Sequence, residues 1–521
     1  HTLRTIPDTD AIKRLVDEDG VDSAVVVGGG FIGLEMAENL IHRGVRVTIV
    51  EMMNQVLAPL DYEMAALVHD HLREQGVVLA LGSALEAIEE ALGGGLLVRT
   101  ANGSAERVDM VVLAIGVRPE SGLAQEAGLE IGPRGHVVTD EHLRTSDPDI
   151  YAVGDAIQVV NPVTGAPCAV PLAGPANRQA RIAADHITGD PEARYRGTLG
   201  TSIVKVFDLT VATTGTNARG LEGAGVPFAA SVTHSQDHVT YYPGATEQTV
   251  RILYRPEDGR LLGAQVVGRN AVDRSIDALA VALQAGLTVY DLEQLELAYA
   301  PPYGAAKDPI NVAGYVAANR LRGTTKMVEW QELERLQEEG VGVLDVRSTV
   351  EFDLGHLRGA INLPHTELRE RLGELDPAKR WVVYCKIGRR AYVAERILRQ
   401  HGYDVVNLTG GYKTYAAATG AAYREAPAES FPEEHGLATP PPVAVGGVAE
   451  RAVGGNGPAP APEPAATAIL AEEDVLTLDA CGLQCPGPIM AVFKRMEEMR
   501  PAEVLRVTAT DPGFARDVAA W

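Results

Sequence analysis

The sequence predicts a multidomain α/β protein, and three observations carry that prediction. At 521 residues the chain is longer than a single core usually grows. From Ser23 to about Gly116, short Val- and Ile-rich runs alternate with amphipathic segments, the pattern of a doubly wound sheet. The same alternation restarts near Met327, and once more after a tract of Pro, Ala and Gly.

The first alternation opens on "SAVVVGGGFIGLEMAENL". An apolar strand runs into Gly28-x-Gly30-x-x-Gly33, with Phe31 and Ile32 inside the fingerprint, and an amphipathic helix follows. Glycines here permit a tight turn, approach of backbone to a pyrophosphate, and close helix–strand packing. The helix N-terminus then faces the phosphates. The next strand, "VRVTIVE", ends in Glu51, the acidic residue that accepts from a ribose 2′-hydroxyl. A 2′-phosphate would meet like charge there, and Met52, Met53 and Asn54 offer no arginine, so NADH is favoured over NADPH. "MVVLAIG" completes the unit, with Gly116 at its end.

Residues 119 to 190 contain "TSDPDIYAVGDA", read as a strand ending in Gly154-Asp155, and then a helix over "PLAGPANRQARIAADHI". Residues 196 to 323 change character: "SIVKVFD", "TVRILY" and "LLGAQVVG" read as strands, and "SIDALAVALQAG" as a helix. From Met327, "VGVLDVR", "WVVYC", "AYVAERILRQHG" and "DVVNLTGGY" alternate again. Residues 439 to 468 hold no aromatic residue, and such a tract buries too little apolar surface to offset its ordering entropy, so it reads as a linker. Strand, turn and helix return in "DVLTLDACGLQCPGPIMAVFKRM".

Composition narrows the partners. A formal charge of −24 argues against nucleic acid, which needs clustered Lys and Arg. No run of about 18 apolar residues is present, so no membrane span is expected. Four cysteines in so long a chain make no disulfide scaffold, and a reducing cytoplasm fits. Cys168, in "TGAPCAVP", reads as a passive residue in a loop.

Taken together, "TLRTIPDTDAIKRLV", "GGGFIGLEMAENL", "VVLAIGVRPES", "IYAVGDA" and "LAYAPPYGAAKDPINVAGY" resemble the pyridine nucleotide-disulfide oxidoreductases, in particular the coenzyme A-disulfide reductase group. The resemblance implies a Rossmann-like two-dinucleotide fold with bound FAD and NADH, and coenzyme A as substrate or product. It divides the chain into a connector (1–20), an NAD-binding domain (21–118), a second FAD-binding segment (119–192) and an α+β dimerisation domain (193–323), and it implies a homodimer. In the family a first FAD segment with its own fingerprint and redox cysteine precedes the "TLR" motif. The expectation is therefore that the chain as given starts after that segment, retains FAD poorly and does not turn over disulfide. Asp155 would contact FAD beside Gly154. Glu35 would lie at the flavin–nicotinamide contact or be an ordinary helix residue. Tyr241 (or Tyr242) and Tyr299 would reach the partner's redox cysteine, Lys307 would meet a coenzyme A phosphate, and Asn177 stands where relatives carry a substrate-contacting His.

"VVYCKIGRRAYVAERIL" places Cys385 between an apolar strand and a helix. A free thiol near pKa 8.5 is only about 3% thiolate at pH 7. Backbone N–H groups of the loop, with Lys386, Arg389 and Arg390, are expected to favour the anion. With "LDVRSTVEFDLGHLRGAINLP" upstream, residues 324–427 resemble the rhodanese domain, an α/β sulfurtransferase in which the loop cysteine carries sulfane sulfur. Asp345, Arg347 and His356 match motif positions with a structural reading. After a linker (428–472), residues 473–521 resemble the TusA-like sulfur carriers, an α+β domain expected to be cut short. Cys485-Pro486-Gly487-Pro488 is its motif, and Cys481 leaves a resolving disulfide or a zinc site open, although no second ligand pair supports zinc.

The implied function is an FAD-dependent NADH oxidoreductase reducing coenzyme A disulfide, coenzyme A persulfide or polysulfide, with sulfur relayed through Cys385 and Cys485 to sulfur-acceptor proteins. Two alternatives stand beside it: a sulfurtransferase with an inactive reductase portion, and an NADH oxidase or peroxidase.

Overall fold

Ser23–Val27 (β1) is buried along its whole length and apolar from Ala24 on because both of its faces are covered, as for a central parallel strand. A computed structural model describes residues 1–18, 20–421, 423–424, 475–479, 495 and 504–508. The chain divides into two compact units: His1–Thr240 with Gly244–Ala438, and Thr439–Trp521 with Tyr241–Pro243.

The first unit opens with α1 (Ile6–Glu18), β1, α2 (Phe31–His42), β2 (Arg46–Glu51), α3 (Tyr62–Glu74) and β3 (Val78–Leu81). With β7 (Met110–Leu113) these strands form a parallel sheet in the order β3-β2-β1-β7. Leu34, Ala37 and Leu40 of α2 pack on it with Met64 and Val68 of α3. A separate antiparallel meander, β4 (Leu85–Glu90), β5 (Leu96–Thr100) and β6 (Ala105–Val108), interrupts the sheet before β7.

The next segment holds α4 (Gly122–Glu126), the antiparallel pair β8 (Val159–Val160) and β9 (Pro167–Cys168), and α5 (Ala173–Ile187). Two expectations are corrected. The stretch before Gly154 is no regular strand: Tyr151 makes one isolated bridge, to Arg144, and residues 154–156 form a short 3-10 turn. Cys168 lies in β9, paired to Val159, and not in a loop.

Five antiparallel strands follow, β10 (Ser202–Val206), β11 (Leu209–Gly215), β12 (Ala229–Gln236), β13 (Glu247–Tyr254) and β14 (Leu261–Gly268), in the order β10-β11-β14-β13-β12. The short helix α6 (Ala218–Gly223) connects β11 to β12. Helices α7 (Val272–Gln284), α8 (Val289–Gln294) and α9 (Pro309–Leu321) cover the sheet through Ile276, Leu279, Leu292 and Ala313. Asp308 caps α9, its carboxylate accepting from the Ile310 N–H, and Pro309 occupies the first turn, where its missing donor costs nothing.

The last domain of this unit is a parallel sheet, β15-β19-β18-β16-β17. Its strands are β15 (Met327–Val328), β16 (Gly342–Asp345), β17 (Ala360–Asn362), β18 (Trp381–Tyr384) and β19 (Val405–Leu408), with helices α10 (Leu333–Glu338), α11 (Thr349–Asp353), α12 (Arg389–Gln400) and α13 (Gly411–Thr419).

Three domains meet at Arg251 of β13, which is almost completely buried. Its guanidinium lies 2.7 Å from Asp61 and 2.6 Å from Glu63, at the head of α3, and 2.9 Å from Glu329, just after β15. Burial pushes the Glu63 carboxyl up despite the neighbouring arginine. Nearby, the Val232 N–H donates to Thr409 Oγ1 at 3.0 Å, and Lys413 pairs with Glu247. In the second unit, the described strands β20 (Val475–Asp479) and β21 (Val504–Thr508) pair in parallel.

Candidate functional site

The turn after β1 is built for glycine. Gly28 has φ +109°, and a Cβ there would overlap the Ala114 carbonyl oxygen. A Cβ on Gly33 would overlap the Gly28 carbonyl oxygen, so α2 lies against the turn only because that residue has no side chain. Gly30, the N-cap of α2, makes no side-chain cap and faces open space. The first N–H groups of α2 are therefore available to an anion.

Glu51 braces the turn. One carboxylate oxygen accepts from the Gly29 N–H at 2.7 Å and the other from the Met53 N–H at 2.8 Å. Each oxygen keeps a second lone pair for a ribose hydroxyl. The loop beyond is held from beneath by His69, whose Nε2 accepts from the Val56 N–H at 3.1 Å. This contact needs a neutral ring, and burial lowers the His69 pKa to about 4. A histidine near 6.5 when unfolded and near 4 when folded contributes stability that is complete above 6.5. That stability is lost as pH falls toward 4. Urea titrations from pH 7 to pH 4.5 should therefore show a fall of order 2 kcal/mol from this group, and His69→Gln, whose amide oxygen can accept from Val56, should flatten it. An unchanged pH profile in that variant would contradict the assignment.

A cavity of about 1650 Å³ opens beside the turn, and Gly30, Phe31, Ile32, Glu35, Gly116 and Asp155 all line it. It thus joins residues that the sequence separates by more than a hundred positions. Gly154 is tied to α5, its N–H donating to Gln179 Oε1 at 2.7 Å, which leaves the Asp155 carboxylate exposed toward the cavity. The motif reading missed Gln179; a polar residue on the inner face of an amphipathic helix was its only signal. These groups fit a flavin and a nicotinamide dinucleotide: an open helix N-terminus for phosphates, and carboxylates for ribose or ribityl hydroxyls. Asn177 does not line the cavity. Its amide donates to the Ala173 carbonyl of its own helix at 2.9 Å, while its neighbour Arg178 does line it.

Tyr299 lies on a second cavity of about 550 Å³, with Tyr303, His238, Asp237 and Arg274. Lys307 is exposed and outside both cavities. Tyr241 is half-buried in the connection between β12 and β13.

Cys385 directly follows β18 and is 1% exposed. Its sulfur accepts from the Gly388 N–H at 3.1 Å, as the loop reading expects. Gly388 has φ +97° and forms the N-cap of α12. Arg389 begins that helix at the surface, and Lys386 is half-buried. Arg390 is buried and donates to both oxygens of Glu351 at 2.6 Å. Burial opposes ionisation of Glu351, but the hydrogen bonds and charge of Arg390, with the Ser348 N–H and the Arg347 charge, together outweigh it and hold the carboxyl below the usual range. Asp345 and Arg347 form a buried pair at 2.6 Å, and His356 stacks on Phe352.

Gly411 went unnoticed in the motif reading. It has φ +62°, and a Cβ there would come within 2.6 Å of both the Cys385 and Lys386 carbonyl oxygens. Those carbonyls accept from the N–H groups of Tyr412 and Lys413 at 2.8 and 3.0 Å, so the head of α13 holds the cysteine loop. Gly411→Ala should lower sulfane-sulfur transfer by at least about tenfold, through a clash and a strained φ. A thiosulfate-to-cyanide assay at the parent rate would rule this out. Cys485 and Cys481 lie outside the described residues, as does the linker.

Comparison with known proteins adds four domain matches. Residues 1–179 match the pyridine nucleotide-disulphide oxidoreductase model and 201–308 its dimerisation domain. Residues 329–418 match the rhodanese-like domain and 476–521 the sulfurtransferase TusA. The chain is 34% identical over 316 residues to the coenzyme A disulfide reductase of Staphylococcus haemolyticus (strain JCSC1435), covering 61% of this chain and 70% of that one. Among solved structures, it is similar to reduced Bacillus anthracis CoADR-RHD, with 47% identity, a TM-score of 0.79 and coverage of 81% and 76% of the two chains. It is also similar to an NAD-dependent persulfide reductase from A. fulgidus, with 39% identity, a TM-score of 0.74 and coverage of 80% and 75%. Among the described residues, no helix is long and apolar enough to cross a membrane.

Proposed function

Since the chain belongs to the pyridine nucleotide-disulphide oxidoreductase family, we propose that it serves NADH-dependent reduction of coenzyme A persulfide, with coenzyme A disulfide and polysulfide as related substrates. Sulfane sulfur is carried by Cys385 and passed on through Cys485. The observation that carries this reading is the cavity that brings Gly30, Glu35, Gly116 and Asp155 together in the same unit as the Cys385 loop. When bound, the flavin and nicotinamide supply transfer of an electron pair. The chain's own residues bind and orient: the head of α2 takes the pyrophosphate, Glu51 the adenosine ribose, and Asp155 the hydroxyls of the flavin chain.

Reduction balances as persulfide plus NADH plus a proton giving thiol, hydrogen sulfide and NAD⁺. At Cys385, the thiolate attacks the outer sulfur of a donor. The donor's S–S bond breaks, the donor leaves with the electron pair, and a persulfide forms on Cys385. The Gly388 N–H, 3.1 Å from that sulfur, stabilises the anion at both ends of the step. Tethering the carriers on one chain raises the effective concentration of each thiol at the next. The dimerisation domain supports a homodimer, the persulfide chemistry implies sulfur-acceptor proteins as partners, and the two free cysteines among the described residues fit a reducing cytoplasm.

Anaerobic NADH oxidation by the flavin-loaded protein, supplied with the first FAD segment and redox cysteine of its family, tests the reading. Coenzyme A persulfide should be reduced faster than coenzyme A disulfide, and dioxygen or peroxide should support at most about a tenth of that rate. Equal rates with dioxygen would favour an oxidase. Transfer from thiosulfate with no NADH-dependent reduction would leave a sulfurtransferase alone.

A further inference from the structure

The loop that follows Glu51 carries no cation of its own, yet the fold brings one to it. Arg219, in α6 between β11 and β12, donates through Nη2 to the Ala58 carbonyl at 3.0 Å, and its Nη1 lies 3.9 Å from the Met53 sulfur. The contact is built rather than incidental. Asn217 donates to the Ala58 and Leu60 carbonyls at 3.2 and 3.4 Å, and the Ala218 N–H donates to Asp61 at 2.9 Å. The loop is in turn tied to the phosphate turn, the Leu57 N–H donating to the Gly29 carbonyl at 2.8 Å. Arg219 is exposed, and among the described residues it forms no ion pair.

Chemistry follows from this placement. The Glu51 carboxylate, 2.8 Å from the Met53 N–H, marks where the adenosine ribose sits. A 2′-phosphate would project past that carboxylate toward solvent, over Met52 (71% exposed) and Met53, the side on which the guanidinium is held. Of the five guanidinium donors, one is used by Ala58 and one faces the Met53 sulfur, and the others remain for phosphate oxygens.

We infer that Arg219 is a specificity-determining residue of the adenosine pocket, seating the 2′-phosphate so that the site takes NADPH as well as NADH. This rests on the nucleotide reading above and deepens it. Glu51 favours a free 2′-hydroxyl and Arg219 offsets the like charge that a 2′-phosphate would meet.

Titration calorimetry of the full chain with NAD⁺ and NADP⁺, which differ only in the 2′-phosphate, tests the assignment. Arg219→Ala should weaken NADP⁺ at least about tenfold and NAD⁺ by less than about twofold. Arg219→Gln retains a donor for the Ala58 carbonyl but no charge, and should match Arg219→Ala. Arg219→Lys should restore part of the NADP⁺ affinity, and raised salt should erode it. An unchanged ratio of the two affinities, or an equal loss of both in Arg219→Ala and Arg219→Gln, would overturn the role of Arg219 and leave the nucleotide site intact. Failure of the parent chain to bind either dinucleotide would overturn the nucleotide reading itself, and this inference with it.

Discussion

Cys385→Ser should lower sulfane-sulfur transfer by at least about a thousandfold, while Cys168→Ser leaves it within about twofold of the parent. The two thiols are both free but differ in every physical respect that matters. Cys385 stands at a strand end, its sulfur receiving the Gly388 N–H, with its loop fixed by the head of α13. Cys168 sits in the short β8–β9 pair, where burial pushes its thiol pKa up and so depletes the thiolate. A serine hydroxyl at position 385 keeps the size of the group but ionises far less readily and cannot hold a sulfane sulfur. Rates with thiosulfate as donor, together with the mass of the trapped persulfide, decide the matter. A Cys385→Ser protein that still transfers, or a Cys168→Ser protein that does not, would reverse the assignment.

Arg251→Met should cost about 3–5 kcal/mol of stability, the largest such effect expected from a single substitution in the described units. The arginine is the only cation within ion-pair distance of Asp61, Glu63 and Glu329 among the described residues, and removing it leaves two buried carboxylates and the half-buried Glu329 facing one another. Protonation then becomes the remaining way to relieve the repulsion. Glu63, whose folded pKa burial already raises, costs nothing below the ordinary carboxylate pKa and destabilises increasingly as pH rises from there through its folded pKa. The stability gap between variant and parent should accordingly narrow as pH is lowered from 7 to 5. Because Glu329 belongs to the Cys385 domain, an early separate unfolding transition of that domain is also expected. A variant within about 1 kcal/mol of the parent in urea, at both pH values, would show that the junction is incidental.

Local chemistry was legible in the sequence, and long-range pairing was not. Gly28, Gly30 and Gly33 act within one turn, so their spacing after an apolar strand was enough to place them. Cys385 was legible for the same reason, since strand, loop and helix are contiguous. The meander β4–β6 escaped because "EAIEE" and its neighbours lack a buried face long enough to show a period. The stretch before Asp155 was read as a strand from its apolar residues, but a strand needs a ladder, and only the Arg144–Tyr151 bridge is present among the described residues. The Arg390–Glu351 pair was not legible, since Glu351 is 39 residues away in sequence and adjacent only once α11 and α12 have packed. Arg251 and Arg219 belong to the same class: Asp61 lies 190 residues from Arg251 and Ala58 lies 161 from Arg219, where no spacing rule reaches.

The most direct measurement follows the sulfur and the electrons together. The protein, supplied with FAD and with the first FAD segment and redox cysteine of its family, is charged at Cys385 from thiosulfate, freed of excess donor, and mixed anaerobically with coenzyme A and NADH. Intact mass and released sulfide are then recorded against NADH consumed. The account predicts loss of the extra sulfur from Cys385, and one hydrogen sulfide released for each NADH oxidised. A persulfide that stays on Cys385, or leaves it with no NADH consumed, would contradict a shared chemistry for the nucleotide cavity and the cysteine loop.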